Sequence, residues 1–457
     1  MNAASMPSND VPDIRPAAII LIIFPLTLSP STWCNRAHRF CNQKVSPMTN
    51  DNTPLIQDLQ LRGFMQDCTD LSALNERIGK ETIIAYAGFD CTGPSLHVGH
   101  LMSIMILRRL QKNGHKPIVL LGGGTTKVGD PSGKDETRKM LNDEDIQQNM
   151  DALRGVFSRF ITFGDGPTDA IMVNNDDWLS GLGYIDFLRK YGRHFSVNRM
   201  MSFDSVKLRL EREQNLSFIE FNYMILQAYD FLELNRRHGC SLQLGGSDQW
   251  GNIVNGIELA RRTDQTQLFG LTTPLITTAN GAKMGKTVSG AVWLNPDMLT
   301  DFDYWQFWRN TDDRDVIRFM KLFTDMELAD ICEVENSDVN EQKKILAHEA
   351  TKLARGEEAA IKAAEAAQAA FTGGNLDALP KVSVTLEHDE IGILSLVVQA
   401  GLATSNGEVR RLIKGGGVKL AGNVISDEKT MVSRQDFANG PIHLALGKKK
   451  HVLVEAF

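Results

Sequence analysis

Between Thr82 and Leu121 the chain spells a strand, a helix and a second strand, and that order constrains the fold more than any other feature of its 457 residues. Thr82-Ile-Ile-Ala-Tyr86-Ala-Gly88-Phe89 is a short β-rich run. Residues 98–110 form an apolar stretch with Arg108 and Arg109 near its end, and Gly114 stops it. Lys116-Pro-Ile-Val-Leu-Leu121 follows, closed by Gly122-Gly123-Gly124. Runs that are apolar without alternation suit strands covered on both faces. Strand, crossover helix and strand predict a right-handed βαβ unit with parallel strands. Further strands are expected at 170–173 and 241–244, and helices at 55–80, 143–160, 178–190 and 217–235. The first two-thirds of the chain therefore reads as α/β, a Rossmann-like doubly wound parallel sheet.

The pattern changes near residue 300. Helix formers run almost unbroken from Met298 to Phe371, including KILAHEATKLARGEEAAIKAAEAAQAA, until Thr372-Gly-Gly-Asn375 breaks them. From Ile391 the sequence turns to short strands, glycines and cations, which reads as a small α+β unit. The expected organisation is an extension over 1–47, a catalytic α/β domain over 48–275, a loop and α-helical domain over 276–375, a linker over 376–390 and the small domain over 391–457. The longest apolar run, residues 17–28, has 12 residues and a proline. It falls short of the ~20 that a membrane helix needs. Asp10 and Asp13 precede it, opposite in sign to a secretory flank. Residues 1–47 are expected to be a disordered extension upstream of a start at Met48, with a targeting segment as the alternative.

Composition narrows the function. With 42% hydrophobic and 23% charged residues the chain is an ordinary globular protein, neither fibrous nor wholly disordered. A net charge of -7 gives no general attraction for nucleic acid, so any such contact needs a local basic patch. The last 70 residues provide one, with nine Lys and Arg against seven Asp and Glu. Six scattered cysteines without a C-x-x-C pair argue against a zinc site or a disulfide scaffold and suit a reducing cytosol. No metal cluster is expected.

Two motifs carry chemistry. His97-Val-Gly99-His100 stands where the first strand feeds its helix. Open parallel sheets bind ligands at the carboxyl ends of their strands, and a helix N-terminus favours phosphate. The histidines, three apart, project from one side of the first turn, and Gly99 lets a flat base approach the backbone. Lys283-Met284-Gly285-Lys286-Thr287 puts two ammonium groups and a hydroxyl in a glycine-containing loop, suited to a polyphosphate that gains charge during reaction. A third pattern lies on a helix: Tyr223, Gln227 and Asp230 at i, i+4 and i+7 share one face.

With Gly129-Asp130-Pro-Ser-Gly-Lys134, Arg138 and Gln243-Leu-Gly-Gly246-Ser-Asp248-Gln249-Trp-Gly-Asn252, these motifs resemble the class I aminoacyl-tRNA synthetases, in particular the bacterial tyrosyl type. The resemblance covers about residues 50–457. It implies activation of L-tyrosine by ATP to tyrosyl-adenylate and pyrophosphate, then transfer to the 3′ end of tRNA(Tyr). It also implies a cytoplasmic homodimer with no membrane segment and no organic cofactor, to which Mg²⁺ comes with ATP.

The same resemblance suggests roles. Thr92, His97, His100, Lys134, Arg138, Lys283, Lys286 and Thr287 would donate to phosphate oxygens. Gly88, Asp90, Gly99, Gly246 and Asp248 would surround the nucleotide, with Asp248 on the ribose. Asp130, Tyr223 and Gln227 would bind the substrate ammonium, Gln249 its carboxylate or the α-phosphate, and Tyr86 and Asp230 the phenol hydroxyl. The tail resembles an S4-type RNA-binding domain, in which Arg410, Arg411, Lys414 and Lys419 would meet RNA phosphates. The chain departs from the wider class in reading K-M-G-K-T for K-M-S-K-S and in carrying Cys91 where proline is common. The alternatives are the tryptophanyl branch of the same fold and an RNA-binding protein with an inactive catalytic domain.

Overall fold

The computed structural model describes residues 52–129, 141–287, 290–372, 379–386, 389–438, 440–447 and 450–457. The expectations for residues 1–47 and for Asp130, Lys134 and Arg138 lie outside them.

Five parallel strands form the central sheet: β1 (Ile84–Phe89), β2 (Lys116–Leu121), β3 (Ile171–Asn174), β4 (Leu242–Gly246) and β5 (Phe269–Thr273), in the order β3-β2-β1-β4-β5. The order reverses between β1 and β4, the crevice where a doubly wound sheet binds its ligand. The pleat sorts side chains by face. Ala85, Ala87, Phe89, Val119, Leu121, Leu242 and Leu244 enter the larger core, while Tyr86, Ile118 and Leu120 enter a second core on the other face.

Two helices precede the sheet, α1 (Pro54–Arg62) and α2 (Leu71–Ile78). They split the helical stretch expected over 55–80, because Gly63 takes φ +88° as the C-cap of α1. A 3₁₀ turn, Val98–His100, opens α3 (Leu101–Lys112). Past β2 come a single turn, α4 (Gly123–Thr126), and α5 (Asp143–Phe157). The helix expected over 178–190 is two, α6 (Asp176–Leu179) and α7 (Tyr184–Lys190), separated by a stretch holding Gly181 and Gly183. Two short helices follow, α8 (Val197–Met201) and α9 (Asp204–Glu211).

The long α10 (Phe218–His238) starts at a capping box of Ser217 and Glu220 and stops at Gly239 with φ +67°. It packs along α11 (Trp250–Thr263) on the second core. After β5, the short strands β6 (Lys286–Thr287) and β7 (Gly290–Ala291) pair antiparallel.

The helical stretch holds α12 (Asp301–Arg309), α13 (Val316–Phe323), α14 (Leu328–Val334), α15 (Val339–Arg355) and α16 (Glu357–Thr372). The tail carries β8 (Lys381–Val384), β9 (Glu390–Gly392), α17 (Ile393–Gln399), α18 (Asn406–Lys414), β10 (Val418–Leu420), β11 (Asn423–Val424), β12 (Met431–Ser433), β13 (Ile442–Leu446) and β14 (Lys450–Ala456). One correction concerns the linker expected over 376–390. Lys381–Val384 is a strand paired in parallel with β14, because Val382 and Val384 alternate onto the small domain's core. Leu379 and Leu453 are buried in the larger core, shared with α12 and α15, so the tail packs on the body. No described helix is long and apolar enough to cross a membrane, and the described cysteines, Cys68, Cys91, Cys240 and Cys332, are free thiols.

Candidate active site

At the sheet's reversal lies a cleft of about 340 Å³, the size of a small-ligand site. Tyr86 and Gln243 come from the strands, and Tyr223, Gln227 and Asp230 from one face of α10. Gly88, Asp90, Thr92, Gly99 and His100 line it from the first βα turn, and Gly246, Asp248 and Gln249 from the exit of β4. The helical spacing and the strand–helix switch read from sequence thus converge on one cavity.

Part of the lining is buried and polar. The Tyr86 hydroxyl has no hydrogen-bond partner among the described residues, although the side chain is 1% exposed. Burial, with the nearby Asp230 carboxylate, holds its pKa well above that of an ordinary phenol. Asp230 accepts from Asn175 Nδ2 at 3.0 Å and from Trp178 Nε1 at 2.8 Å. Burial pushes its carboxyl up to about 7, against those two bonds, and the charge of Asp90 adds to the rise. Asn175 is itself oriented, donating to Thr125 Oγ1 at 3.0 Å and accepting from Gly124 N at 2.8 Å. The amide oxygen of Gln243 likewise lacks a partner among the described residues. A buried group left unpaired is costly unless a ligand satisfies it.

Elsewhere on the wall, three amides hold one another. Gln227 Nε2 donates to Gln249 Oε1 at 3.2 Å, and Asn252 Nδ2 donates to Gln227 Oε1 at 2.9 Å and to Gln249 Oε1 at 3.1 Å. Gln249 Nε2 reaches Asp248 Oδ2 at 3.3 Å. A Cβ on Gly246 would stand 2.5 Å from Asp248 Oδ1, the end of an exposed side chain that can turn aside.

The first signature locks itself. Gly99 N donates to His97 Nδ1 at 3.0 Å, and His97 N donates to His100 Nδ1 at 3.2 Å. Accepting at Nδ1 puts each neutral ring's proton on Nε2. The second signature packs directly on the first. A Cβ on Gly99 would lie 3.0 Å from the Met284 carbonyl, and one on Gly285 would lie 2.8 Å from His97 Nδ1. Gly99 therefore serves the approach of the loop as well as lining the cleft. His97 stands outside the lining, against Gly285 and the Trp293 ring at 6.1 Å. Lys283 is exposed, bridged to Thr277, and is also absent from the lining. Lys286 and Thr287 contribute backbone to β6; the roles expected of their side chains lie outside the described residues.

Sequence reasoning passed over Asn175, Trp178 and Thr125, and gave no role to Gln243 and Asn252 although both stand in a motif that it quoted. One signal was available for Asn175, a polar residue directly after a strand of a parallel sheet. In the tail, Val409 and Ile413 bury one face of α18 while Arg410, Arg411 and Lys414 stand exposed, as does Lys419 on β10. Arg410 is 3.5 Å from Glu428.

Residues 79–372 match the family described as tRNA synthetases class I (W and Y), and residues 374–454 match the tyrosine–tRNA ligase SYY-like C-terminal domain. The tyrosine–tRNA ligase of Caulobacter vibrioides is 57% identical over 417 residues, covering 90% of this chain and all of the relative. That of Methylocella silvestris is 56% identical over 417 residues, covering 89% of this chain and all of the relative. Among solved structures, a C-terminally truncated mitochondrial tyrosyl-tRNA synthetase of Aspergillus nidulans superposes with a TM-score of 0.63 at 27% identity, covering 74% of this chain and 98% of that one. With both matched regions in sequence order and the curated relatives matched over their whole length, the chain belongs to the class I tRNA synthetases, as a tyrosine–tRNA ligase.

Proposed function

We propose that the β1–β4 cleft carries the activation step of this ligase, with the phenol of L-tyrosine against Tyr86 and Asp230. The buried, ligand-facing pair of hydroxyl and carboxyl carries this reading, because an apolar pocket has no means of telling tyrosine from phenylalanine. Tyr223 and Gln227, with Asp130, would hold the ammonium. The amide web would hold Gln249 against the reacting carboxylate.

ATP enters as its magnesium complex. The tyrosine carboxylate attacks the α-phosphorus, and the bond to the pyrophosphate oxygen breaks. No protein nucleophile is needed, so the residues act by placing reactants and by donating to oxygens that gain charge. His100 and Thr92, on the lining, are assigned to the phosphates, with His97 behind them. Lys134, Arg138, Lys283, Lys286 and Thr287 are assigned to the departing pyrophosphate. Gly88, Asp90, Gly99, Gly246 and Asp248 are assigned to the nucleoside.

The terminal hydroxyl of tRNA(Tyr) then attacks the adenylate carbonyl and loses its proton, the acyl–phosphate bond breaks and AMP leaves, with Arg410, Arg411, Lys414 and Lys419 holding RNA phosphates. The enzyme is assigned to the cytoplasm, as a homodimer. Among the described residues, seven of the fourteen large exposed hydrophobics, from Tyr184 to Ile219, lie on α7–α10, and a second copy would cover them. Pyrophosphate exchange with tyrosine, phenylalanine and tryptophan tests the reading. Exchange with tyrosine alone is expected, and equal exchange with phenylalanine would remove Tyr86 and Asp230 from the pocket.

A further inference from the structure

Arg355 is the last residue of α15, far along the chain from either signature, yet its side chain is 1% exposed. Its Nη2 donates to the carbonyls of Trp293 at 2.9 Å and Leu299 at 3.2 Å. The guanidinium lies 4.9 Å from the centre of the Tyr304 ring, and Nε is 3.8 Å from Asp301 Oδ1. Nε and Nη1 have no hydrogen-bond acceptor among the described residues. Burial lowers its pKa to about 10, so the group stays charged at neutral pH. An incompletely paired buried cation is destabilising, and what it holds gives a reason for it.

The segment on which Arg355 pulls is sewn to both signatures. Val292 N donates to Gly285 O at 3.1 Å, and Val98 N donates to Val292 O at 2.9 Å. Trp293 bridges His97 antiparallel, Leu294 N donates to Leu96 O at 2.8 Å, and Asn295 N donates to Ser95 Oγ at 3.1 Å. Residues 292–295 thus form a strip with the H-V-G-H turn along one side and the K-M-G-K-T loop at its start. Arg159 supports the same strip, its Nη1 lying 3.3 Å from both Leu294 O and Ala354 O.

We propose that Arg355 is a positioning residue for amino-acid activation: from the helical stretch it anchors the 292–299 segment that sets the K-M-G-K-T loop against the H-V-G-H turn. This rests on the assignment of activation to the β1–β4 cleft. Both signatures serve the phosphate end of the reaction, while Tyr86 and Asp230 stand on other elements. Release of the anchor should therefore slow the chemical step and leave tyrosine binding intact.

The test is pyrophosphate exchange and tyrosine equilibrium dialysis on Arg355→Met, Arg355→Lys, Leu346→Val and His100→Ala in the full chain. Leu346 is buried on the same helix nine residues before Arg355, and its apolar side chain donates no hydrogen bond to the strip, so its variant reports lost packing. Arg355→Met should lower the exchange kcat by roughly 10- to 100-fold, the scale of a small misplacement of reacting groups, with tyrosine Kd within about twofold. Arg355→Lys, which keeps a donor and the charge but not the planar head, should be intermediate. Leu346→Val should lower the Tm without changing kcat. A normal kcat in Arg355→Met, or equal loss of tyrosine affinity, overturns the proposal. Should Arg355→Met fail to fold, a normal kcat in Arg355→Lys overturns it. An impaired His100→Ala beside a normal Arg355 variant rejects this inference alone, whereas a normal His100→Ala rejects the placement of activation itself.

Discussion

Tyr86 and Gln243 are register partners across the parallel pair of β1 and β4, and each buries a polar atom that no described residue satisfies. They occupy the face of the sheet turned to the cleft. A bound hydroxyl or ammonium would satisfy these two groups and offset the cost of burying them.

Substituting these two should therefore separate stability from activity. Tyr86→Phe and Gln243→Leu each remove an unsatisfied polar atom while keeping most of the volume. Thermal denaturation should give a Tm equal to or above that of the parent, as expected where a strained site is relaxed. The kcat/KM for tyrosine should fall about 2- to 10-fold in Tyr86→Phe, one net hydrogen bond of ~0.5–1.5 kcal/mol, with little change for phenylalanine. A lower Tm together with unaltered selectivity would contradict the placement.

Asp230 makes the cleft sensitive to pH. Its folded pKa of about 7 lies above the 3.8 of an ordinary aspartate. The fold therefore favours the protonated acid. Its ionisation lowers stability increasingly as pH rises from about 4 to about 7, after which the cost levels off. Binding runs the other way, because a phenol O–H donates best to an ionised carboxylate. Tyrosine affinity should weaken as pH falls through about 7, while phenylalanine affinity should not. In Asp230→Asn the amide turns an NH₂ toward either Asn175 or Trp178, both donors. This variant should lose more activity than Tyr86→Phe and show a flat tyrosine profile. Titration calorimetry between pH 5.5 and pH 8.5 gives the comparison, and parallel profiles for both amino acids would exclude Asp230 as the acceptor.

Much of this arrangement was legible in local sequence, and the missing part has a common cause. The βαβ core, α10 and the helical stretch follow from apolar runs and glycine stops, which act within a few residues. β5 carries no such signal, since Phe269-Gly-Leu-Thr-Thr is short and half polar, and pairing with β4 makes it a strand. β8 looks like linker until β14 supplies its neighbour. Asn175 and Trp178 acquire their purpose from Asp230, more than fifty positions away. Tyr86 and Asp230 were paired through the family resemblance, and no local rule joins a strand residue to a helix residue so distant. The contact between Gly99 and Gly285 is equally non-local, although both motifs were plain.

β8 also changes where the chain can be cut. A protein ending at residue 390 keeps β8 without β14 and uncovers the core where Leu453 was buried. One ending at residue 372 removes the tail's sheet whole, though it too loses Leu379 and Leu453 from the larger core. The shorter protein should be the more soluble of the two, with a Tm below that of the full chain. It should retain pyrophosphate exchange and lose tRNA charging, since every residue assigned to activation precedes residue 372 and the exposed cations of α18 and β10 are gone. Full-rate charging by the 372-residue chain would remove the RNA role from the tail.

Gly285 offers the sharpest test of how the two signatures meet. Its φ is +112°, a conformation that side chains rarely adopt, and an added Cβ would stand 2.8 Å from His97 Nδ1 and 3.0 Å from Gly99 N. Gly285→Ala must therefore shift the loop, the His97 ring, or both. The hydrogen bond from Gly99 N to His97 Nδ1, which orients that ring, lies in the path of the shift. Tyr86, Gln243 and Asp230 stand on β1, β4 and α10, outside the loop. The variant should accordingly bind tyrosine within about twofold of the parent and activate it roughly 10- to 100-fold more slowly, because small displacements of groups that act on the transition state are paid in rate and not in ground-state affinity. Gly281→Ala, where φ is +79° and no atom lies within 4 Å of the added Cβ, is the matched control for backbone strain in the same loop. If the two variants lose equal activity, the strain of a positive φ explains both and the contact between the signatures has no special part in catalysis.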